Sequence, residues 1–546
     1  MEKFQKYMTN KYFKYVVYIL YFIYFIYKRY LKILLKSLLF ILILMFLLLE
    51  FQTILSVPKL GVNEQTGFNN IHNYPNSYDV CFVGRSPIIS NISSQHLYEQ
   101  YGITSVSAGV SGQAFPMTKY TLEEVLNYQS PKVVFLDTKV ILDSDRIELL
   151  NYQDESYLHH SLDNIKTLSI KQKALKTIQK FNKEIDVWDY YSKLYNTHEN
   201  WKNLTQKNFL GYDPKAAIGM NGNITYMEVA DDIINTYSTS NNNFITPVTL
   251  KKEKYLSEMI DLCDTAGADL VLFTSYTSST RSQHHAIKTL ANKFHLKYLD
   301  INEFTLKTNF QHNLDLINES HCNLSGAIKI TDFIGEFLQK NYNFELPNSS
   351  VQQVFEQQKS LFDIQKQFIY TKQDLLSATN FNKFLTELNN LDINHNLIFI
   401  SIYNDAIKHL TTLEQKQLHE LGLKTTLTNK QGCSYAAIIS SDKIWEDFSY
   451  ISDINFEGKI DNLSYEITSG GLKSGGRSSI MIDEKEASLS GRGFNFVIYN
   501  TQLEQVMISC FFDTSGSVNP AQSRYKATST TTLQQETGPN IWENVE

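Results

Sequence analysis

From Ser37 to Leu55 the chain reads SLLFILILMFLLLEFQTIL, a run broken only by Glu50. At 1.5 Å of rise per helical residue such a run crosses a hydrocarbon core of roughly 30 Å, so any fold adopted by this chain begins at a bilayer. The aromatic-rich stretch Tyr15 to Tyr27 lies between Lys14 and the pair Lys28–Arg29. It suits an interfacial amphipathic helix or the cytoplasmic extension of one long helix. A cleaved secretory segment fits less well, because the run is too long and no A-x-A-like site follows it. A two-span hairpin remains open and would return the body to the cytoplasm. Eight Lys/Arg against one acid, Glu2, precede Ser37. By the positive-inside rule residues 1–56 then form a basic cytoplasmic segment plus a single-pass anchor in the cell membrane, with the body extracytoplasmic.

The rest of the chain is acidic, since the whole carries 50 Lys/Arg and 57 Asp/Glu. Without a basic surface to neutralise phosphates, nucleic acid is excluded as the expected partner, and the lipid bilayer is engaged through the N-terminal helix. Aromatic residues at 13% exclude a largely disordered chain. At 546 residues the body needs more than one domain. The five cysteines form no C-x-x-C pair and no zinc-ligand spacing. Cys433 and Cys510 share the last region, and whether they pair is left open. The adjacent pairs His159–His160 and His284–His285 lack the i, i+4 spacing of helical metal ligands and suit surface positions. No metal or cofactor is called for.

Short apolar runs at Tyr78 to Val83, Lys132 to Leu136, Asp269 to Phe273 and Lys297 to Ile301 alternate with helix-like segments. This alternation predicts a parallel α/β sheet over residues 75–345. A helical insertion is expected at about 145–215, centred on Leu162 to Lys183. The turn-rich LPNSSV at Leu346 to Val351 marks the end of that domain. Residues 362–516 read as a second, mixed α/β domain with β-sandwich character, followed by a polar, flexible tail over 517–546.

The strand DVCFVG runs straight into Arg85-Ser86-Pro87. In parallel α/β sheets reactive groups gather beyond the carboxyl ends of strands, so Ser86 is placed either as a nucleophile or as a helix N-cap. Gly109 and Gly112, in Ala108 to Gln113, either bring backbone N–H groups to a developing oxyanion or simply serve a tight turn. His321 stands in a loop, NESHCNLSGA, just before an amphipathic helix. A base there can reach a serine at another strand end.

VGRS around Ser86, SAGVSGQ around Gly109 and Gly112, and HCNLSGAIKITDFIGEFL after His321 resemble the SGNH (GDSL-like) hydrolase superfamily, in its membrane-anchored, envelope-facing branch of DltD-like and alginate-acetylation-like proteins. The resemblance covers roughly Tyr78 to Leu338. It implies a flavodoxin-like α/β/α fold and ester hydrolysis or acyl transfer on glycans. Ser86 would be nucleophile, His321 general base, and Gly109 or Gly112 an oxyanion donor. A membrane acyl-donor protein would be a partner. The family's acid position is held by Asn318, so either Asp315 or Glu319 substitutes, the site works as a dyad, or the domain is a catalytically inactive binder. Arg85 and Pro87 flank the serine where relatives carry small or polar residues, and Asp137-Thr138 stands where an oxyanion asparagine is expected. His198 and Trp201 resemble a His-x-x-Trp segment of the same branch.

Farther on, ITSGG from Ile467, GGRSSIMID from Gly475, GRGFNFVIY from Gly491 and FFDT from Phe511 resemble the interleukin-like EMT inducer (ILEI) domain, with its halves in circularly permuted order. This resemblance covers about Lys366 to Thr514 and implies binding of a surface polysaccharide or glycan. Arg492, Asn495 and Asp513 would contact sugar hydroxyls. Alternatively, Arg492 and Asp513 pair internally to hold the sheet ends.

Overall fold

A computed structural model describes residues 1–55, 62–142, 156–181, 185–191, 201–202, 204, 221–230, 248, 250–276, 281–305 and 310–524. One unbroken helix, Glu2–Leu55, carries the apolar run and is long and apolar enough to cross a membrane. No turn separates Tyr15–Tyr27 from Ser37–Leu55, so the aromatic stretch extends one long helix and the hairpin alternative is not what forms.

The first sheet has strands β1 (Val80–Gly84), β2 (Ser105–Gly109), β3 (Val133–Asp137), β4 (Asp269–Thr274) and β5 (Lys297–Asp300), all parallel, in the order β2-β1-β3-β4-β5. The chain winds outward in one direction to β2 and in the other from β3 onward, so the carboxyl ends of β1 and β3 flank a switch point where crossover connections diverge. Side chains alternate across the sheet. Cys81 and Val83 of β1 enter one core with Leu122, Leu256 and Ile287, while Val80 and Phe82 enter another with Leu97, Ile330 and Ile334. Helices therefore cover both faces, which is why the central strands β1, β3 and β4 carry continuous apolar runs rather than alternating.

Within the expected insertion, helices Ser156–Asp163 and Leu168–Phe181 pack their own small core on Met117 and Tyr120 of helix Phe115–Tyr128. Residues 143–155, 192–200, 203 and 205–220 of that insertion, His198 among them, lie outside the described residues.

The expected break at Leu346 to Val351 is instead the start of a helix, Ser349–Ser377, with Asn348 as its N-cap. Val351 and Phe355 at its near end join the core of the first sheet, and Phe362, Phe368 and Leu375 join the second core. The second core also takes in Met227, Leu314, Leu324 and Ile328, so the two regions share buried surface rather than meeting at a linker.

Beyond it lies a curled, mixed sheet. Strand β6 (Asn396–Asn404) pairs antiparallel with β7 (Ser434–Ile439), which carries β8 (Ile444–Ser449). Strand β9 (Ile454–Ile460) pairs with β10 (Leu463–Gly471), which meets β6 in parallel and continues to β11 (Arg477–Ile482) and the short β12 (Lys485–Glu486). On the other side of β6 run β13 (Gly493–Asn500) and β14 (Gln505–Phe512). The first residues of the expected tail, 517–524, are described. Gln522–Ser523 form β15 on the edge of β14, and a guanidinium N–H of Arg524 donates to the carbonyl of Leu376 at 2.7 Å. Backbone pairing orders a segment too polar to be ordered by burial. Residues 525–546 lie outside the described residues. All five cysteines are buried and free, so Cys433 and Cys510 are not paired.

Candidate active site

Ser86 leaves the carboxyl end of β1 through Gly84, whose φ is +153° and whose place a side chain cannot share, because an added Cβ would lie 2.3 Å from the Cβ of Asp137. Gly109, at the end of β2, is equally confined: its Cβ would meet Ile89 at 2.5 Å and the carbonyl oxygen of Arg85 at 3.1 Å. Ser86 is the first residue of a five-residue helix, Ser86–Ser90, and Arg85, not Ser86, holds the N-cap position. The serine hydroxyl is thus not spent on capping.

His321 sits on a loop closed by a bridge between Leu316 and Cys322 and by the N–H of Ile317 donating to the carbonyl of His321 at 2.9 Å. The helix Leu324–Asn341, capped by the side chain of Asn323, follows at once. Across 235 positions of sequence, Nε2 of His321 lies 2.9 Å from Oγ of Ser86. On the far side of the ring, Nδ1 is 3.0 Å from Oδ1 of Asn318. That oxygen also accepts the backbone N–H groups of Ser320 at 3.0 Å and His321 at 3.1 Å. Two obligate donors on one atom identify it as the amide oxygen, which settles a choice that side-chain shape alone leaves open. Nδ1 must then carry the proton, and Nε2 presents its lone pair to the serine hydroxyl.

Neither alternative acid reaches the ring. Asp315 is buried and bound to Lys329 at 2.8 Å, to the hydroxyl of Ser325 at 2.8 Å and to the N–H of Gln311 at 2.6 Å. Glu319 is exposed, and among the described residues His321 has no carboxylate partner. Burial, and then the nearby ammonium of Lys139, push the His321 imidazole down to about 4. At neutral pH the ring is therefore uncharged, which is the form a general base must have.

The glycine loop is tied to the turn that carries Ser86 by Arg85, whose buried guanidinium donates Nε–H to the carbonyl of Gln113 at 2.8 Å. Gly109 N–H makes a long, 3.4 Å contact to the Ser107 hydroxyl. Gly112 lies half-buried in the adjoining turn with φ +65°, and its N–H has no hydrogen bond among the described residues. Asp137 is buried; its carboxylate accepts the N–H of Lys139 at 3.1 Å and of Arg85 at 3.4 Å, and burial holds it above the usual carboxylate range.

Two side chains here carry no signal in the sequence. Lys139 donates from Nζ to the Ser320 hydroxyl at 3.3 Å, placing a cation beside the histidine loop. Asn91, fully buried, binds that loop from the side of Ser86. A lysine after a strand and an asparagine after a short helix look like ordinary loop residues until the fold gathers them. The adjacent histidines are spoken for: His284 pairs with Asp300 at 2.6 Å, and His159 stacks on Tyr190.

In the second region Arg492 grips Asp513 through two bonds, at 2.9 Å from Nε and 2.6 Å from the terminal nitrogen, on the surface beside the ends of β13 and β14. Asn495 is fully buried, and its amide exchanges hydrogen bonds with the backbone of Gly491 at 2.7 and 2.8 Å. It holds a turn and is not available to a sugar, which corrects its expected role. The Arg492–Asp513 pair takes the internal alternative.

By geometry this is a serine–histidine pair with an amide in the third position, at the switch point of a doubly wound parallel sheet. No protein-family model matches the chain, and no curated protein matches it.

Proposed function

We propose that the protein is a membrane-anchored, extracytoplasmic esterase or O-acyltransferase of SGNH type that acts on a cell-surface polysaccharide. The observation that carries this reading is the relay Ser86–His321–Asn318, with both ring nitrogens engaged and the tautomer set for proton removal. Ser86 Oγ would attack the acyl carbonyl as His321 Nε2 takes its proton, giving an acyl-serine; the same imidazole returns that proton to the leaving sugar oxygen. Water or a second hydroxyl then releases the acyl group. The Gly112 N–H, in the loop held by Arg85, would face the oxyanion, because the Val110 and Gln113 N–H groups already donate to the carbonyls of Gly84 and Val110. The ILEI-like C-terminal region would hold glycan, through groups other than Arg492 and Asp513, which bind each other.

A second reading, a tethered glycan-binding or assembly protein without turnover, draws on one observation: no carboxylate supports the imidazole, so nothing at Asn318 neutralises an imidazolium. Ser86→Ala separates the two. Under the esterase reading this variant abolishes hydrolysis of p-nitrophenyl acetate by the full-length chain in detergent and changes the acyl content of the surface glycan. If both are unchanged, the enzyme reading is rejected.

A further inference from the structure

We infer that Asn91, five residues after the nucleophile, is the positioning residue that mounts His321 and Ser86 on one rigid piece of the fold. This rests on the Ser86–His321 reading above. Asn91 closes the helix Ser86–Ser90, its own N–H donating to the carbonyl of Pro87 at 2.9 Å. Its side chain reaches across to the loop of the base and takes it on both sides of the imidazole-bearing residue. Oδ1 accepts the N–H of Cys322 at 2.8 Å, and Nδ2 donates to the carbonyl of Ser320 at 3.0 Å. Nδ2 also lies 3.2 Å from the carbonyl of Tyr276 and 2.9 Å from the hydroxyl of Ser275, just past β4, while the Ser90 hydroxyl donates to Oδ1 at 2.7 Å.

The partners leave no freedom in how the amide is oriented. Two carbonyl oxygens require the nitrogen on one side, and a backbone N–H requires the oxygen on the other. The amide is wholly buried, so each of these bonds is expensive to lose: a backbone group stripped of its partner there keeps its desolvation cost. Asn318 fixes which nitrogen of the ring is protonated; Asn91 fixes where the ring stands. An imidazole held from one side only would swing on the loop 316–322, and a displacement of about 1 Å between reacting groups costs on the order of 10²-fold in rate.

Asn91→Asp keeps the acceptor for Cys322 but sets a carboxylate against the carbonyls of Ser320 and Tyr276. Full-length wild type and variant in detergent are compared by the rate at which a fluorophosphonate labels Ser86 and by kcat and KM for p-nitrophenyl acetate, from pH 3.5 to 8. The expected result is a kcat and labelling rate lower by about 10²-fold with KM within about threefold. In Asn91→Ala, which adds no charge beside the ring, the acid limb should also rise from about 4 toward the ordinary imidazole range as the ring leaves its buried seat. A merely structural role would lower the active fraction without moving that limb. A folded variant with wild-type rate and limb overturns the inference. Should Asn91→Asp not fold, Asn91→Ala is read the same way. Independently of any variant, hydrogen exchange of the Cys322 amide in the wild type should proceed only through global opening; exchange at loop rates overturns the inference. If wild type itself is not labelled at Ser86, the esterase reading fails first and takes this one with it.

Discussion

Replacing Asn318 by aspartate puts a carboxylate where an amide oxygen now stands 3.0 Å from Nδ1 of His321. The new oxygen still accepts the two backbone N–H groups that hold Asn318 Oδ1, so the loop keeps its shape and only the charge changes. Two unit charges about 4 Å apart attract by about 4 kcal/mol at an effective dielectric of 20, and residue 318 is exposed, so about half of that survives solvent screening. At 1.36 kcal/mol per unit, the surviving ~2 kcal/mol raises the imidazole by about 1.5 units. The acid limb of kcat/KM therefore moves from about 4 to a value near the middle of the range between there and neutrality. At pH 7 the imidazole is neutral in both proteins, so ionisation contributes nothing to the comparison. The gain there comes from stabilising the imidazolium formed as Ser86 attacks, and the same ~2 kcal/mol corresponds to about 30-fold in kcat/KM. The assay is hydrolysis of p-nitrophenyl acetate across pH 3.5 to 8, with Ser86→Ala as the background. A folded Asn318→Asp protein whose limb stays at about 4 and whose rate at pH 7 is unchanged would refute the claim that residue 318 acts on the base.

Two further outcomes follow from the same geometry. Gly84→Ala must both hold φ near +153° and place a Cβ 2.3 Å from Asp137, so it should destabilise the first sheet by about 3 kcal/mol, read as a lowered urea midpoint at unchanged slope; an unaltered midpoint would mean the β1 exit is not confined. His321 is held neutral, with a folded value of about 4 against an ordinary value of about 6.5, so its burial stabilises the fold fully above the unfolded value and loses that contribution as pH falls toward the folded one. Discounted for partial exposure this is on the order of 2 kcal/mol, and His321→Asn should flatten that part of the stability-versus-pH curve between pH 6.5 and 4.5; an identical curve would contradict it.

What was legible in the sequence is local or periodic. β1 is an apolar pentad ending in glycine, and the rule that parallel strands present chemistry at their carboxyl ends located Ser86 without any knowledge of its partner. Its meeting with His321 depends on five strands taking one winding order, which no spacing encodes. Turn chemistry misled at Asn348-Ser349-Ser350, because the residues that make turns are also those that cap helices, and here Asn348 opens a helix of 29 residues. The ILEI resemblance offers Asn495 as a sugar ligand, but a motif does not say which polar side chain the adjoining turn will claim. Asn91 gives no signal for the same reason: its value lies in five partners from three stretches of chain.

The helix Ser349–Ser377 gives the two regions a physical reason to act together. Its Gln373 donates Nε2–H to the carbonyl of Leu314 at 2.8 Å and its Oε1 lies 3.1 Å from the Ser325 hydroxyl, so it touches the chain on both sides of the histidine loop. Lys372 beside it donates to the carbonyl of Met227 at 3.0 Å. Leu314 and Leu324, which bracket that loop, are themselves part of the core that the second region builds with Phe381, Phe384 and Phe496. The loop is thus packed from below by the C-terminal region and gripped from the side by Asn91. Leu314 and Leu324 on either side of His321 are close-packed with that region, so the ends of the loop have little room to shift. In such an arrangement the C-terminal region is part of what holds the base in place, whatever it binds.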